Sequence, residues 1–146
     1  MSTPSAPTDL ELVAAARAAR QRSYAPYSGY HVGAALLTDT GEVITAANVE
    51  NASYGMTICA ERAAVVVAVA AGHRRFTAVA VAADGTEPAS PCGACRQALL
   101  EFPAGSALRV LLAGESGDEL MATTLGELLP GGFGPERLIP DPEDRS

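Results

Sequence analysis

Apolar positions along the chain follow two periods, one helical and one strand-like. Thr8 and Glu11 stand three apart, the spacing of a capping box. In the segment that follows, Leu10, Val13 and Ala14 fall on one helical face and Arg17, Arg20 and Gln21 on another, which predicts a helix to about Ser23. Tyr24-Ala-Pro-Tyr-Ser-Gly29 is rich in turn formers. Residues 31–38 and 43–47 read as strands joined across Asp39-Thr-Gly41, a hairpin. Residues 59–71 are locally ambiguous. Val65, Val66, Val67 and Val69 favour a strand, but the absence of Gly and Pro until Gly72 favours a helix, and length decides for the helix. A helix apolar on nearly every side must be covered on nearly every side, which points to an oligomer. Residues 76–83 read as a strand, 92–102 as a helix ended by Pro103 and Gly105, 108–112 as a strand and 120–123 as a weaker one. Thr124 and Glu127 repeat the capping-box spacing before a short helix to Leu129. Strands alternating with helices in the order α-β-β-α-β-α-β-β-α predict an α/β fold whose sheet is covered on both faces.

No repeat or interior linker divides the chain, so residues 1–146 read as a single domain, with ends at 1–7 and 140–146 whose Pro-rich, polar composition predicts disorder. The length of 146 residues suffices to bury roughly 68–70% of the unfolded surface. Hydrophobic residues make up 48% and charged residues 18%, a globular composition. The net charge is −7, and every cationic side chain other than histidine is an arginine. Such a chain is repelled by nucleic-acid phosphate and by anionic membranes, so the expected partners include neither, and a small neutral ligand fits better. The longest apolar run, 63–71, falls far short of the about 20 residues a membrane span needs. The first residues carry neither a basic nor an apolar leader region. Three cysteines cannot make a disulfide framework. A reducing, cytoplasmic location is therefore expected.

The cysteines sit in Cys59-Ala-Glu61 and Pro91-Cys92-Gly-Ala-Cys95, both at predicted helix starts. Cys92 and Cys95 are i and i+3, so they share a helix face and can reach one metal. Cys59 would add a third ligand and leave a tetrahedral position open, the arrangement of catalytic rather than structural zinc. Helix N-termini would also lower the thiol pKa values. A lone C-x-x-C is weak evidence, since buried free cysteines are common and a redox pair has the same spacing. A redox pair, however, needs neither a third cysteine nor Glu61. Glu61 cannot easily ligate the ion that Cys59 holds, but it can face the open position as a general acid/base; otherwise it is an exposed first-turn glutamate. Zinc nucleobase deaminases carry H-x-E followed by P-C-x-x-C, and here Cys59 stands in the histidine's place.

Six segments together make the sequence resemble the small homotetrameric cytidine deaminases of the three-cysteine type. They are Tyr24-Ala-Pro-Tyr-Ser28, Val32-Gly-Ala-Ala-Leu36, Asn48-Val-Glu-Asn51, Cys59-Ala-Glu-Arg62, Pro91-Cys-Gly-Ala-Cys-Arg-Gln97 and Leu128-Leu-Pro-Gly131, and the likeness covers residues 9–139. The resemblance implies a three-layer α/β/α domain around a five-stranded mixed sheet. It implies one Zn²⁺ per chain on Cys59, Cys92 and Cys95, with Glu61 as proton shuttle. The implied reaction is hydrolytic deamination of cytidine and 2′-deoxycytidine to the uridine nucleosides and ammonia, in pyrimidine salvage. The resemblance assigns Asn48 and Glu50 to the ribose, the Ala60 N–H to the pyrimidine O2, and Tyr30 to the wall of the base pocket. It sends Phe133 into a neighbouring subunit's site. In the family's all-cysteine members, an arginine at the position of Arg62 hydrogen-bonds the thiolate sulfurs and withdraws charge.

These assignments have plainer alternatives. Asn48 and Glu50 are i and i+2 at a strand end and should face the same way, but both could cap loops. Tyr30 could be core, Arg62 a surface arginine. Phe133 lies in a glycine-rich stretch, where an exposed aromatic wants a partner to cover it. Tyr54 is a weaker candidate for that same interface, Tyr24 and Tyr27 read as loop packing, and His31 and His73 have no ligand role. Three rival functions remain. A deaminase of aminonucleoside antibiotics, resembling the blasticidin S type, would lack the Asn48-Val-Glu-Asn51 motif. A polynucleotide deaminase would want a basic cluster. A zinc-stabilised scaffold would close its site with a fourth ligand.

Overall fold

The structure, a computed structural model, describes residues 5–145. The expected disorder at 1–7 and 140–146 thus falls in part on residues 1–4 and 146, outside the described residues. Helix α1 spans Asp9–Arg20. The Thr8 hydroxyl oxygen caps it by accepting the Glu11 N–H at 3.1 Å, as the capping spacing predicts. The helix stops before Ser23, and its buried face differs from the predicted one. Leu12, Val13, Ala16 and Ala19 are buried, whereas Leu10 and Ala14 are exposed. An alanine-rich helix offers two overlapping apolar stripes, and contact with the sheet selects between them. Arg17 and Arg20 do not form a solvated face. Arg17 donates through Nε to the Gly114 carbonyl and through Nη2 to the Gly117 carbonyl, both at 2.9 Å, and Arg20 pairs with Asp84 and Glu115.

Strands β1 (Val32–Thr38) and β2 (Val43–Ala47) form the expected antiparallel hairpin. With β3 (Phe76–Ala83), β4 (Arg109–Gly114) and β5 (Leu120–Thr124) they build a five-stranded sheet in the order β2-β1-β3-β4-β5. Only β3 and β4 run parallel, so the sheet is mixed. The three central strands are apolar almost without interruption, because both their faces are covered. Ala35, Leu37, Ala78, Ala80, Ala82 and Leu111 face α1. Ala34, Leu36, Val79, Val81, Val110 and Leu112 face the opposite layer. That layer consists of α2 (Ala60–Ala70), α3 (Gly93–Leu100) and the short α4 (Leu125–Leu128).

The valine-rich segment is thus the helix that its length demands. Its sheet-facing residues are small, Ala60, Ala64 and Ala68, all fully buried, which lets the helix lie close to the strands. Val66 and Val67 on its outer face are 64% and 48% exposed within the single chain. Helix α3 ends at Leu100, two residues short of the predicted end.

One glycine fixes how α1 crosses the sheet. A methyl group on Gly33 would lie 2.0 Å from the Ala16 carbonyl oxygen and 2.4 Å from the Arg20 nitrogen, both backbone atoms that cannot swing aside. Gly33→Ala should therefore lower stability by about 1–3 kcal/mol or more, the usual cost of overpacking. The check is a denaturant midpoint, and an unchanged midpoint would show that α1 can lift off the strand at little cost.

Candidate active site

The site forms where the segment after β2, the end of β3 and the N-termini of α2 and α3 meet. Cys59 is the N-cap of α2 and Cys92 the N-cap of α3, and Cys95 is buried within the first turn of α3. The Cys92 and Cys95 sulfurs are 3.5 Å apart, the Cys59 and Cys92 sulfurs 4.0 Å, and all three lie within 4.8 Å of one another. Tetrahedral zinc with bonds of about 2.3 Å places its sulfurs about 3.8 Å apart. The donor set fits zinc in both chemistry and spacing. Without a cation the three thiols cannot all ionise. Hydrogen bonding from Cys95 holds the Cys59 thiol down at about 6, against the opposing effects of burial and Glu61. The same hydrogen bonding, with burial, pushes Cys95 up.

Glu61 follows Cys59 by two residues and turns inward rather than into solvent, with 5% of its surface exposed. Its Oε2 accepts from the Cys95 thiol at 3.4 Å. Burial holds its carboxyl above the ordinary carboxylate range, and its own backbone N–H, the Cys95 thiol and Arg62 only partly offset this. A carboxyl poised in this way suits a group that must both take and give a proton.

Above the thiols and Glu61 opens a cavity of about 220 Å³, with Tyr30, Asn48, Thr57, Ala60 and Ser90 in its walls. Asn48 is 8% exposed and holds the wall beside it. Its Oδ1 accepts the Val32 N–H at 2.9 Å and the Ser23 hydroxyl, and its Nδ2 donates to the Tyr30 carbonyl at 2.9 Å. Among the described residues, one of its two amide hydrogens has no acceptor.

Glu50 does not share this cavity. It lines an adjoining recess with Tyr27, Ser28 and Tyr54, and Thr57 borders both. Its Oε1 accepts the Tyr27 and Ser28 N–H groups at 2.9 and 3.1 Å and its Oε2 the Ser28 hydroxyl, so it caps the 24–29 loop. The Ser28 hydroxyl, aided by those amides, holds the Glu50 carboxyl below its ordinary range. Although β2 ends at Ala47, Val49 stays extended, bridging to both Tyr24 and Ile58, and Asn48 and Glu50 on either side of it both bond to the 23–30 segment.

Arg62 donates to the Thr57 carbonyl at 3.4 Å, its one side-chain hydrogen bond among the described residues. It acts on the site through its field, favouring the charged forms of Cys59 and Glu61. Phe133 is 58% exposed and lies outside its own chain's cavity. Tyr54 is also exposed and meets Tyr27 edge-on at 5.7 Å. His73 pairs with Glu42 away from the site.

Sequence reasoning gave no role to Thr57, Ala89, Ser90 or Asp84. The position of Ala89 and Ser90 just before Pro91-Cys92 was an available signal. Asp84 follows β3 and accepts the His31 N–H at 2.8 Å, with His31 Nδ1 3.1 Å away and Arg20 on its other oxygen. It thereby anchors the 30–32 wall opposite Asn48. Burial alone would raise the Asp84 carboxyl, but His31 and Arg20 outweigh it and the net shift is downward. A depressed folded pKa stabilises above the unfolded value of about 3.9, and that stabilisation is lost as pH falls through the folded value. Asp84→Asn should therefore destabilise the protein at pH 7 and converge with the parent in strong acid. Parallel stability curves for the two proteins between pH 7 and 2 would disprove the linkage.

Comparison with known proteins agrees with this geometry. Residues 7–109 match the cytidine and deoxycytidylate deaminase zinc-binding region. A cytidine deaminase of Sporosarcina psychrophila is 48% identical over 128 residues, covering 88% of this chain and 93% of that protein. A cytidine deaminase of Mycobacterium tuberculosis is 43% identical over 80% of this chain and 82% of its own length. The crystal structure of cytidine deaminase from Burkholderia pseudomallei superposes with a TM-score of 0.82 at 48% identity, covering 87% of this chain and 100% of that one. With its three clustered thiols, a buried glutamate among them and this breadth of sequence likeness, the chain belongs to the cytidine and deoxycytidylate deaminase family.

Proposed function

We propose that the protein is a zinc-dependent cytidine deaminase of pyrimidine salvage, converting cytidine and 2′-deoxycytidine to the uridine nucleosides and ammonia as a single deaminase domain. The observation that carries this reading is the buried Glu61 carboxylate, 3.4 Å from the Cys95 sulfur, at the floor of a cavity walled by Tyr30 and Asn48. Cys59, Cys92 and Cys95 would hold one zinc ion per chain. When bound, zinc supplies Lewis acidity that lowers the pKa of water toward neutrality. Glu61 takes a proton from the attacking water and delivers it to the pyrimidine N3, which makes C4 electrophilic. It then takes the remaining proton, from the new C4 hydroxyl, and passes it to the exocyclic amino group, which leaves as ammonia as the C4 carbonyl forms.

The other residues bind and orient. The Ala60 N–H is the first amide of α2, has no acceptor among the described residues, and can donate to the pyrimidine O2. Asn48 offers its free amide hydrogen to the ribose. Glu50, next door across Thr57, keeps unused lone pairs for a sugar hydroxyl. Tyr30 bounds the base. Arg62 offsets part of the formal −1 charge of zinc with three thiolates.

The chain is taken to work as a cytoplasmic homotetramer, supported by the exposed Val66 and Val67 on α2 and by the uncovered ring of Phe133, which would complete a neighbour's cavity. Among the described residues no helix is long and apolar enough to cross a membrane.

Ultraviolet absorbance of cytidine incubated with the purified protein tests the activity. Loss of the cytosine band supports the proposal. Turnover of blasticidin S alone would assign the site to antibiotic deamination, and turnover of neither would leave a zinc-stabilised scaffold. Phe133→Ala should raise KM for cytidine with little change in zinc content. An active monomer by light scattering would remove the neighbour's role altogether.

A further inference from the structure

Arg96 lies in the Pro91-Cys-Gly-Ala-Cys-Arg-Gln97 segment, next to the last cysteine, yet neither zinc ligation nor proton transfer uses it. Its side chain spends all three guanidinium nitrogens on different parts of the chain. Nε donates to the Pro91 carbonyl at 2.8 Å, Nη2 to the Ser90 hydroxyl at 2.9 Å and Nη1 to the Leu128 carbonyl at 2.5 Å. Its backbone N–H donates to the Cys92 carbonyl at 3.1 Å. One residue therefore grips Ser90, Pro91 and Cys92 in succession.

Those three positions need holding. Cys59 follows a bridged pair, Val49 and Ile58, and Cys95 is buried within α3. Cys92, by contrast, is exposed, with no side-chain capping bond at the helix start. It is reached through residues 84–91, which form no helix or strand. The first residues of that loop are fixed by Asp84 on Arg20 and His31 and by the Glu115 N–H on the Gly85 carbonyl. Among the described residues, the hydrogen bonds to Ser90 and to the Pro91 carbonyl come from Arg96 alone. The planar fork matches this task, since several donors are oriented at once by one rigid group.

We infer that Arg96 is the positioning residue for the metal ligand Cys92 and for the Ser90 wall of the cavity, braced against the end of α4 through Leu128. The inference rests on the zinc reading of the three cysteines. Arg96 touches neither substrate nor the thiols; it sets where Cys92 stands. Its role differs from that of Arg62, which acts through charge: a cation of another shape cannot replace Arg96.

The test compares zinc retention in the parent, Arg96→Ala, Arg96→Lys and Ser90→Ala, using a chromophoric chelator to follow release from the loaded proteins. Thermal midpoints are measured for loaded and zinc-stripped forms of each. Outer-shell partners of metal ligands commonly contribute 10–100-fold to metal affinity, so Arg96→Ala should release zinc about 10–100-fold faster. Arg96→Lys should be nearly as fast, because a single ammonium cannot span three acceptors. The gap between loaded and stripped midpoints should narrow in both. Ser90→Ala, which removes one of the three bonds, should show a smaller change in the same direction and keeps the test open if Arg96→Ala does not fold. A merely structural arginine would lower both midpoints equally and leave the gap and the release rate at parental values, which overturns the inference. Rescue by Arg96→Lys would also overturn it, in favour of charge. A parent protein that takes up no zinc would instead overturn the metal reading beneath it.

Discussion

Glu61→Gln should leave a folded, zinc-loaded protein whose turnover of cytidine is about 10⁴-fold slower or worse. A single general acid/base typically contributes 10²–10⁴-fold, and in the proposed mechanism one carboxylate serves successive transfers from water, to N3 and to the amino group, so the loss belongs at the top of that range or beyond. The substitution is nearly isosteric, and the parent carboxyl is already pushed toward its neutral form by burial, so an uncharged amide fits the site without new electrostatic cost. In the metal-free form the Cys95 thiol keeps an acceptor, because the amide oxygen can replace Oε2, and in the loaded form the amide can turn its N–H to the Cys95 sulfur. In the proposed reading nucleoside affinity rests on Asn48, Ala60, Glu50 and the cavity walls, so the variant should bind cytidine almost as the parent does and fail to turn it over. A hydrated pyrimidine nucleoside that mimics the tetrahedral intermediate should discriminate strongly between the two proteins, since Glu61 contributes more to that state than to the substrate. Loss of zinc from Glu61→Gln would make Glu61 a ligand or a support. Near-parental turnover would assign the proton transfers to another group.

The legible parts of this molecule are those set by local rules. The run 76–83 has strand composition and sharp edges, and β3 occupies those residues. Length assigned the valines of α2 to a helix despite their strand propensity. The two cysteine motifs could be placed at helix starts because Gly-Ala and Ala-Glu continue into helix formers, and an N-cap residue at the head of each helix brings Cys59 and Cys92 within 4.0 Å once both helices pack on one sheet face. What the sequence did not disclose was long-range. The choice between the two apolar stripes of α1 depends on where Gly33 lets the helix cross β1. Arg17, Arg20 and Arg96 read as surface charges or went unremarked, yet each bridges segments far apart in the chain. That Glu50 caps the 24–29 loop, beside rather than within the cavity Asn48 lines, depends on contacts between segments distant in the chain. Phe133 is held by its backbone, its carbonyl accepting from Gln97 Nε2 at 2.8 Å, while its ring is exposed.

Cys92→Ala should abolish zinc binding and, with it, activity and much of the stability, and of the three ligands Cys92 gives the cleanest measurement. Cys95 is fully buried, so replacing it also leaves a small void in α3's packing, and any stability loss would mix two causes. Cys92 is exposed, so its sulfur contributes little packing. The metal-free forms of parent and Cys92→Ala should therefore unfold at nearly the same temperature, and the whole difference should lie in the metal-bound form. Zinc bound to the folded protein and not to the unfolded chain stabilises by mass action, and two remaining thiols on separate helices hold it far less tightly than three. The expected result is a zinc content falling from about one per chain to near zero, with turnover lost and the thermal midpoint dropping to that of the chelator-stripped parent. Because thiolates must form for zinc to bind, parental uptake should also weaken as pH falls, while the variant shows no uptake at any pH. Full zinc occupancy in Cys92→Ala would place the metal on other residues, and a variant less stable than the stripped parent would show that Cys92 supports α3 in its own right.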